Sequence, residues 1–317
     1  MQLIPLPPAV LAIVSPSSEM IYSFALGKDY ALWRPISIHP NATMHELLNV
    51  LAYAAVFLVV VNQCRENNML LKLIRIIVIM ACVLVCIALL QKATWNGRLY
   101  WFYPIPSDMQ SRIDYIWGPY LNRNHFAGYL EMAAPLALAL VVRGIAKIQI
   151  SKGSSVIESA STIAGHSQMA SVTPSLLAFI LLSGILFATL SRGAILAYSL
   201  SMAVFFLLIR TRSKLKKQAG YIILIGMIVA VVGLFAAWDR IEERFKELSE
   251  ADRISRIQVW ADLIPLVKDY PIFGSGFGTF DRSFLRYQTK GSITTFEHAE
   301  NEYMELLADT GMIGLIL

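Results

Sequence analysis

Residues 73–90 read LIRIIVIMACVLVCIALL, and this stretch decides the fold class. It carries a single charged residue, Arg75, near its start. A membrane span needs about 20 mostly apolar residues, and this stretch reaches that length with its flanking residues. Because hydrocarbon offers no water to backbone amides and carbonyls, a crossing chain satisfies them internally. The run lacks the period-2 alternation of a barrel strand, so it predicts a transmembrane helix.

Five further apolar runs have the same character. They lie at Leu47–Val61, Phe126–Val142, Pro174–Leu190, Gly193–Ile209 and Ala219–Trp238. The chain is 56% hydrophobic and only 15% charged, whereas soluble domains carry about 25% charged residues. The sequence therefore predicts an all-α fold, a polytopic transmembrane helical bundle with a large helical periplasmic loop.

One long polar block, Asp239–Glu305, interrupts this pattern. We predict transmembrane helices with short loops at 1–238 and a periplasmic loop domain with the active-site motif at 239–305. At 306–317 we predict the start of a truncated transmembrane helix, and we expect the chain to be a fragment. A polar segment of this length beside spans is the expected place for chemistry on the water side of the bilayer.

Basic residues predict the orientation of the spans. The basic loops at 65–75, 143–152 and 210–217 alternate along the chain, so they share one face. By the positive-inside rule this face is cytoplasmic. The net charge of +5 is then a consequence of topology, and it favours contact with anionic lipid over nucleic acid. The polar block faces the opposite side.

Arg192 is the most unusual charge, because it stands between two apolar runs. A cation beside hydrocarbon is costly and often functional, and a guanidinium can bind a phosphate with two hydrogen bonds. If Gly193 permits a tight turn, Arg192 lies at the outer membrane surface. The alternative is an arginine whose side chain extends to the interface and anchors a helix end.

A second polar group, Asn122-Arg123-Asn124-His125, directly precedes a span. These side chains could donate several hydrogen bonds at the water boundary. The alternative is a helix N-cap, which asparagine favours, but a cap explains only one of them. The aromatic residues between Lys92 and His125 are typical of an interfacial belt or of a platform for sugar rings, and both interpretations stay open.

Within the polar block, Arg256 begins an amphipathic stretch in which Ile257, Trp260, Ile264 and Val267 share a face. We expect this face to lie on the membrane or on other spans. The glycines of the following segment, 270–278, could bring backbone close to a ligand.

The block ends in His298-Ala299-Glu300-Asn301 at the start of an apolar helix. A carboxylate there could act as a general base. It could equally belong to a capping cluster, since acidic residues favour helix N-termini. The three cysteines show neither metal-ligand spacing nor a disulfide framework, and we expect no metal and no cofactor.

Taken together, six segments resemble the O-antigen ligase and O-antigen polymerase superfamily of bacterial inner-membrane glycosyltransferases. The ordered set covers most of the chain. Its members are Gln2-Leu-Ile-Pro-Leu-Pro-Pro, Asn122-x-Asn124-His-Phe-Ala, Ser191-Arg192-Gly193-Ala194, Arg256-Ile-Gln-Val-Trp260, Asp269-Tyr-Pro-Ile-Phe-Gly274-x-Gly276, and His298-Ala-Glu-Asn301 with Gly311-x-x-Gly314.

This resemblance implies a metal-independent, inverting enzyme of polysaccharide or lipopolysaccharide biosynthesis in the inner membrane. It would transfer a glycan from undecaprenyl diphosphate to an acceptor hydroxyl on the periplasmic face. The acceptor would be lipid A core, a growing polysaccharide or a protein. Arg192 and Arg256 would hold the donor diphosphate, because preorganised guanidinium groups can stabilise the charge of a leaving group.

We expect Arg123 to assist these two arginines, with Asn122, Asn124 and Asn301 as supporting polar groups. The family typically places a histidine directly before the asparagine, and here that position is Glu300. The sequence favours Glu300 as the base, with His298 as its partner or substitute. We expect the guanidinium and carboxylate groups to meet in one outward-facing pocket. A transporter or flippase of lipid-linked sugars and an inactive relative remain alternatives.

Overall fold

The computed structural model describes residues 1–27, 32–105, 117–146, 169–211, 250–289, 296, 298–299 and 301–317. A short antiparallel pair, β1 (Arg98–Leu99) and β2 (Tyr103–Pro104), aligns Arg98 with Pro104 and Leu99 with Tyr103. A 3-10 turn covers Phe284–Arg286. The helices are α1 (Pro8–Val14), α2 (Pro16–Leu26), α3 (Pro40–Gln63), α4 (Asn67–Ala93), α5 (Arg123–Ile145), α6 (Met169–Ala188), α7 (Arg192–Thr211), α8 (Glu250–Asp269), α9 (Phe280–Ser283) and α10 (Glu302–Ile316).

Four helices of the described ranges, α3, α4, α5 and α7, are long and apolar enough to cross a membrane. Helix α6 contains a shorter apolar stretch, Val172–Ala188. These helices coincide with five of the predicted runs, and the sixth, Ala219–Trp238, lies outside the described residues. The predicted all-α polytopic fold is confirmed, and the protein is a multi-pass membrane protein.

The chain forms two compact units, which are described separately. A bundle unit comprises residues 64–245, and a loop unit comprises residues 1–63 together with 246–317. The predicted division at residues 238 and 305 stays a prediction, as does the membrane helix predicted to begin at 306.

In the bundle unit, consecutive helices pack antiparallel. The end of α5 meets the start of α6, where a Cβ added to Gly144 would overlap the Val172 side chain. The end of α6 meets the first half of α7, where the Ser183 and Tyr198 hydroxyls lie 2.7 Å apart. Fully buried side chains of α5 and α6, including Phe126 and Phe179, fill the space between them. The two antiparallel contacts place the starts of α5 and α7 at the same end of the bundle unit.

In the loop unit, α8 packs against its neighbours through one apolar stripe. Val259, Leu263 and Leu266 are buried, and they pack with the stacked rings of Phe280 and Phe284. Ile257 and Ile264, on the face predicted to lie on the membrane or on other spans, are 54% and 48% exposed. An apolar face that is exposed in the protein alone is what contact with lipid requires, so the expected placement of this face stays a prediction.

Candidate functional site

The motif at the end of the polar block lies on a firmly held backbone. The indole N–H of Trp260, on α8, donates a hydrogen bond to the Ala299 carbonyl at 3.0 Å. The Asn301 side chain caps α10 by accepting from the backbone N–H groups of Tyr303 and Met304 at 3.1 and 3.3 Å. The capping interpretation therefore holds for Asn301. Between these supports, the backbone on either side of position 300 is fixed.

Glu305 lies one turn into α10 and binds the motif through both carboxylate oxygens. Its Oε1 is 2.9 Å from Nδ1 of His298, and its Oε2 accepts from the Ala299 N–H at 2.9 Å. The His298 side chain is largely exposed, whereas that of Glu305 is mostly buried. Sequence reasoning missed Glu305. Seven residues separate it from His298, and this spacing predicts a contact only when the residue at which α10 begins is known.

Of two other candidates in this unit, the structure describes only the backbone of Arg256. Arg256 lies on α8 four residues, or one helical turn, before Trp260, but its side chain is outside the described residues. Glu300 is outside them altogether. The preference for Glu300 as base stays a prediction.

Arg192 begins α7 directly after a strained turn. The left-handed residue of this turn is Leu190, with φ of +55°, and the buried Ser191 carbonyl accepts the first helical hydrogen bond from Ile195. The expectation that Gly193 makes the turn is wrong: Gly193 lies inside α7. Non-glycine residues with positive φ are costly and cluster at functional sites, so the strain falls beside the candidate arginine.

Arg123 occupies the matching position at the start of α5. Asn122 caps this helix by accepting from the Asn124 N–H at 2.8 Å, so the capping alternative holds for Asn122, while Asn124 is exposed. Arg123 and Arg192 thus begin the two helices whose starts share one end of the bundle unit. Helix N-termini carry partial positive charge and attract phosphate. This end is suited to an anion such as a diphosphate.

The glycine-rich segment is held against α10 by backbone hydrogen bonds. Ser275 and Gly276 donate backbone hydrogen bonds to the Ala308 and Asp309 carbonyls at 2.9 and 3.0 Å. At Gly274 φ is +71°, and an added Cβ would overlap the Asp309 carbonyl. At Gly311, where α10 is broken, an added Cβ would overlap the Ile272 carbonyl. The two glycines therefore permit a close backbone approach between two motifs far apart in sequence.

Gln2 and Asp309 hold this contact together. The Gln2 amide donates to the carbonyls of Phe273 and Asp309 and accepts from the Phe277 N–H. Oδ2 of Asp309 accepts from the Gly278 N–H at 2.7 Å, and its buried Oδ1 has no hydrogen-bond partner among the described residues. Burial raises the pKa of this carboxyl to about 8, the Gly278 N–H opposes the rise, and Glu305 adds to it. Asp309 lies outside the four spanning helices.

A comparison with known protein families found a match for the C-terminal part of the chain. Residues 177–317 match a family model described as O-antigen ligase. This part of the chain is similar to the O-antigen ligase family. No curated protein and no solved structure matched the chain. The match covers Arg192, Arg256 and the 298–301 motif, and it confirms the resemblance; O-antigen ligases transfer glycan in lipopolysaccharide biosynthesis.

The close backbone approach at Gly274 and Gly311 gives a stability prediction. Replacing Gly274 with alanine is expected to cost about 1–3 kcal/mol for the left-handed backbone and about 1–3 kcal/mol more for overlap with α10. Gly27 is the matched control, since its φ is +53° and nothing lies within 4 Å of an added Cβ. Thermal unfolding in detergent should show a clearly larger loss for Gly274→Ala than for Gly27→Ala. Equal losses would contradict the close approach.

The buried carboxyl group of Asp309 gives a pH prediction. Its pKa in the fold, about 8, exceeds the ordinary value of 3.8, so the folded state holds the proton more tightly than the unfolded state. This contribution to stability is complete below about pH 4 and is lost as the pH rises towards 8. Asp309→Asn should flatten that part of the dependence of melting temperature on pH. The exposed Glu302→Gln is the control; an unchanged slope in Asp309→Asn would contradict the assignment.

Proposed function

We propose that the protein transfers a glycan from undecaprenyl diphosphate to an acceptor hydroxyl, with inversion, on the periplasmic face of the bacterial inner membrane. The observation that carries the proposal is an exposed histidine, His298, held on a fixed backbone within the part of the chain that matches the O-antigen ligase family. The acceptor is lipid A core, a growing polysaccharide or a protein, since ligases and polymerases share these parts.

In the proposed reaction, His298 takes the proton from the acceptor hydroxyl through Nε2. The hydroxyl oxygen then attacks the anomeric carbon from the face opposite the diphosphate. The bond from that carbon to the diphosphate oxygen breaks, and undecaprenyl diphosphate leaves with the electron pair. A single displacement of this kind inverts the anomeric configuration. General base catalysis contributes about 10²- to 10⁴-fold.

We assign the base to His298 because it is the candidate whose ring nitrogen has a described carboxylate partner, at 2.9 Å. Glu300, which the sequence favours, remains the alternative base. Asn301 supports the motif by capping α10. Asn122 supports the start of α5 in the same way, and we propose that Asn124 adds a polar group beside it.

We propose that Arg192, Arg256 and Arg123 bind the donor diphosphate. The leaving group gains negative charge as the glycosidic bond breaks, and fixed guanidinium groups stabilise that charge most strongly in the transition state. The placement of Arg123 and Arg192 at helix starts on one end of the bundle unit supports this assignment. No metal is needed for this stabilisation.

The rival function is transport of lipid-linked sugars across the membrane. Transporters of this kind use helices broken near the bilayer midplane. Among the described residues, α3 and α4 run through 24 and 27 residues as single helices, and α5 stays helical through Pro135. The non-helical backbone found inside a described helix is that of Gly311 in α10. These observations favour the transferase.

A deletion strain tests the proposal in cells. Loss of a periplasmic transferase should leave the lipid-linked glycan on the outer face, where an impermeant reagent labels it in spheroplasts. Loss of a flippase should leave it unlabelled on the inner face, which would contradict the proposal. Electrophoresis of the lipopolysaccharide then separates the two transferases, since a ligase mutant loses all attached chains and a polymerase mutant keeps one repeat.

A further inference from the structure

We infer that Glu305 is a positioning residue, which fixes the tautomer and the orientation of His298. The inference rests on the proposed function of His298 as the base. Two contacts carry it: Oε1 lies 2.9 Å from Nδ1 of His298, and Oε2 accepts from the Ala299 N–H at 2.9 Å. One carboxylate therefore holds the imidazole and the adjacent backbone together.

The chemistry of a carboxylate sets the tautomer. An ionised carboxylate accepts hydrogen bonds and donates none, so Nδ1 of His298 must carry the hydrogen. In the neutral imidazole the lone pair then resides on Nε2. Glu305 thus selects the tautomer in which Nε2 is the proton acceptor, which a general base requires.

The hydrogen bond from the Ala299 N–H to Oε2 fixes the Glu305 side chain, and with it the His298 ring. Ala299 is fully buried, and its carbonyl is held by the Trp260 indole at 3.0 Å. Its backbone N–H can only donate, and Oε2 of Glu305 is the acceptor that it reaches. The side chain of Glu305 is 19% exposed and that of His298 is 75% exposed. The carboxylate is therefore held mostly in the interior, while the imidazole it orients faces outward.

Glu305→Gln is the decisive change, because an amide keeps the size of the side chain but has one acceptor oxygen. The Ala299 N–H needs an acceptor, so the amide oxygen turns towards it and the amide NH₂ turns towards Nδ1. Nδ1 must then accept, and the hydrogen moves to Nε2. In the catalytic triad of serine proteases, the corresponding change of the carboxylate to an amide leaves the geometry intact. It lowers kcat about 10⁴-fold, because the histidine takes the wrong tautomer.

The experiment combines kinetics with spectroscopy on the full-length protein in lipid nanodiscs. Glu305→Gln should lower kcat about 100-fold or more and leave the KM for the lipid-linked donor unchanged. Glu305→Asp, which keeps the carboxylate, should recover part of kcat. Solid-state NMR with ¹⁵N-labelled histidine, assigned by the loss of signal in His298→Ala, should report Nδ1–H in the wild type and Nε2–H in Glu305→Gln.

The exposed Glu302→Gln is the matched control, since it makes the same change in charge in the first turn of α10. A wild-type kcat in Glu305→Gln, or an unchanged tautomer, overturns the inference. A loss of kcat equal in Glu302→Gln overturns it too, because charge alone would then explain the effect. If His298→Ala keeps full activity, the proposed base is wrong, whereas the tautomer measurement still tests the Glu305 contact by itself.

Discussion

Replacing His298 with alanine is expected to lower kcat for glycan transfer by about 10²- to 10⁴-fold, the usual contribution of a general base. The protein should remain folded, because the His298 side chain is 75% exposed and its removal leaves no buried cavity. The cap of α10 by Asn301 and the bond from Trp260 to Ala299 do not involve the imidazole. The measurement is the initial rate of undecaprenyl diphosphate release.

Two further variants test whether the loss of activity is specific to His298. His45→Ala, an exposed histidine of the same unit near the start of α3, should keep the wild-type rate. Glu300→Ala compares the two candidate bases directly, and it should lower kcat less than His298→Ala does. A larger loss of kcat in Glu300→Ala would identify Glu300 as the general base, which is the assignment that the sequence favours. Equal, small losses in both variants would contradict acid–base chemistry at this motif.

Replacing Arg192 is expected to have the second large effect. Arg192→Ala should lower kcat about 10²- to 10³-fold, as the loss of one fixed electrostatic donor does. Arg192→Lys should recover little, because an ammonium group cannot form the paired hydrogen bonds that a guanidinium makes with phosphate. The loss should appear mainly in kcat, since the charge of the leaving group develops in the transition state.

Arg210 provides the matched control on the same helix. It lies in the last turn of α7, at the opposite end from Arg192, and is exposed. Arg210→Lys should transfer glycan at the wild-type rate. Full activity in Arg192→Lys would instead support the alternative from the sequence, an arginine that extends to the interface and anchors the helix end.

The sequence predicted the helical architecture well, because the hydrocarbon of the bilayer allows few backbone conformations. Apolar runs such as Leu73–Leu90 have few ways to satisfy their backbone in hydrocarbon, and α4 follows directly. One error arose where glycine was expected to take the strained backbone of a turn. The turn before α7 strains Leu190 and not Gly193.

The candidate site was predicted in part. Residue types and motif order indicated His298 and Arg192. The contact between Glu305 and His298 could not be predicted, because it depends on the residue at which α10 begins. The glycine pair shows the same limit. Gly274 and Gly311 belong to two motifs that sequence reasoning treated separately, and the backbone hydrogen bonds between them join these motifs into one structure. Such partners are set by tertiary packing, which local patterns do not encode.

The most direct test of the account supplies purified full-length protein with a glycan on undecaprenyl diphosphate and with an acceptor hydroxyl, without added metal. We expect undecaprenyl diphosphate and the glycan–acceptor product in equal amounts, with the opposite anomeric configuration to the donor and with dependence on His298. Release of neither product from the wild type, or transfer with retained configuration, would contradict glycan transfer by single displacement.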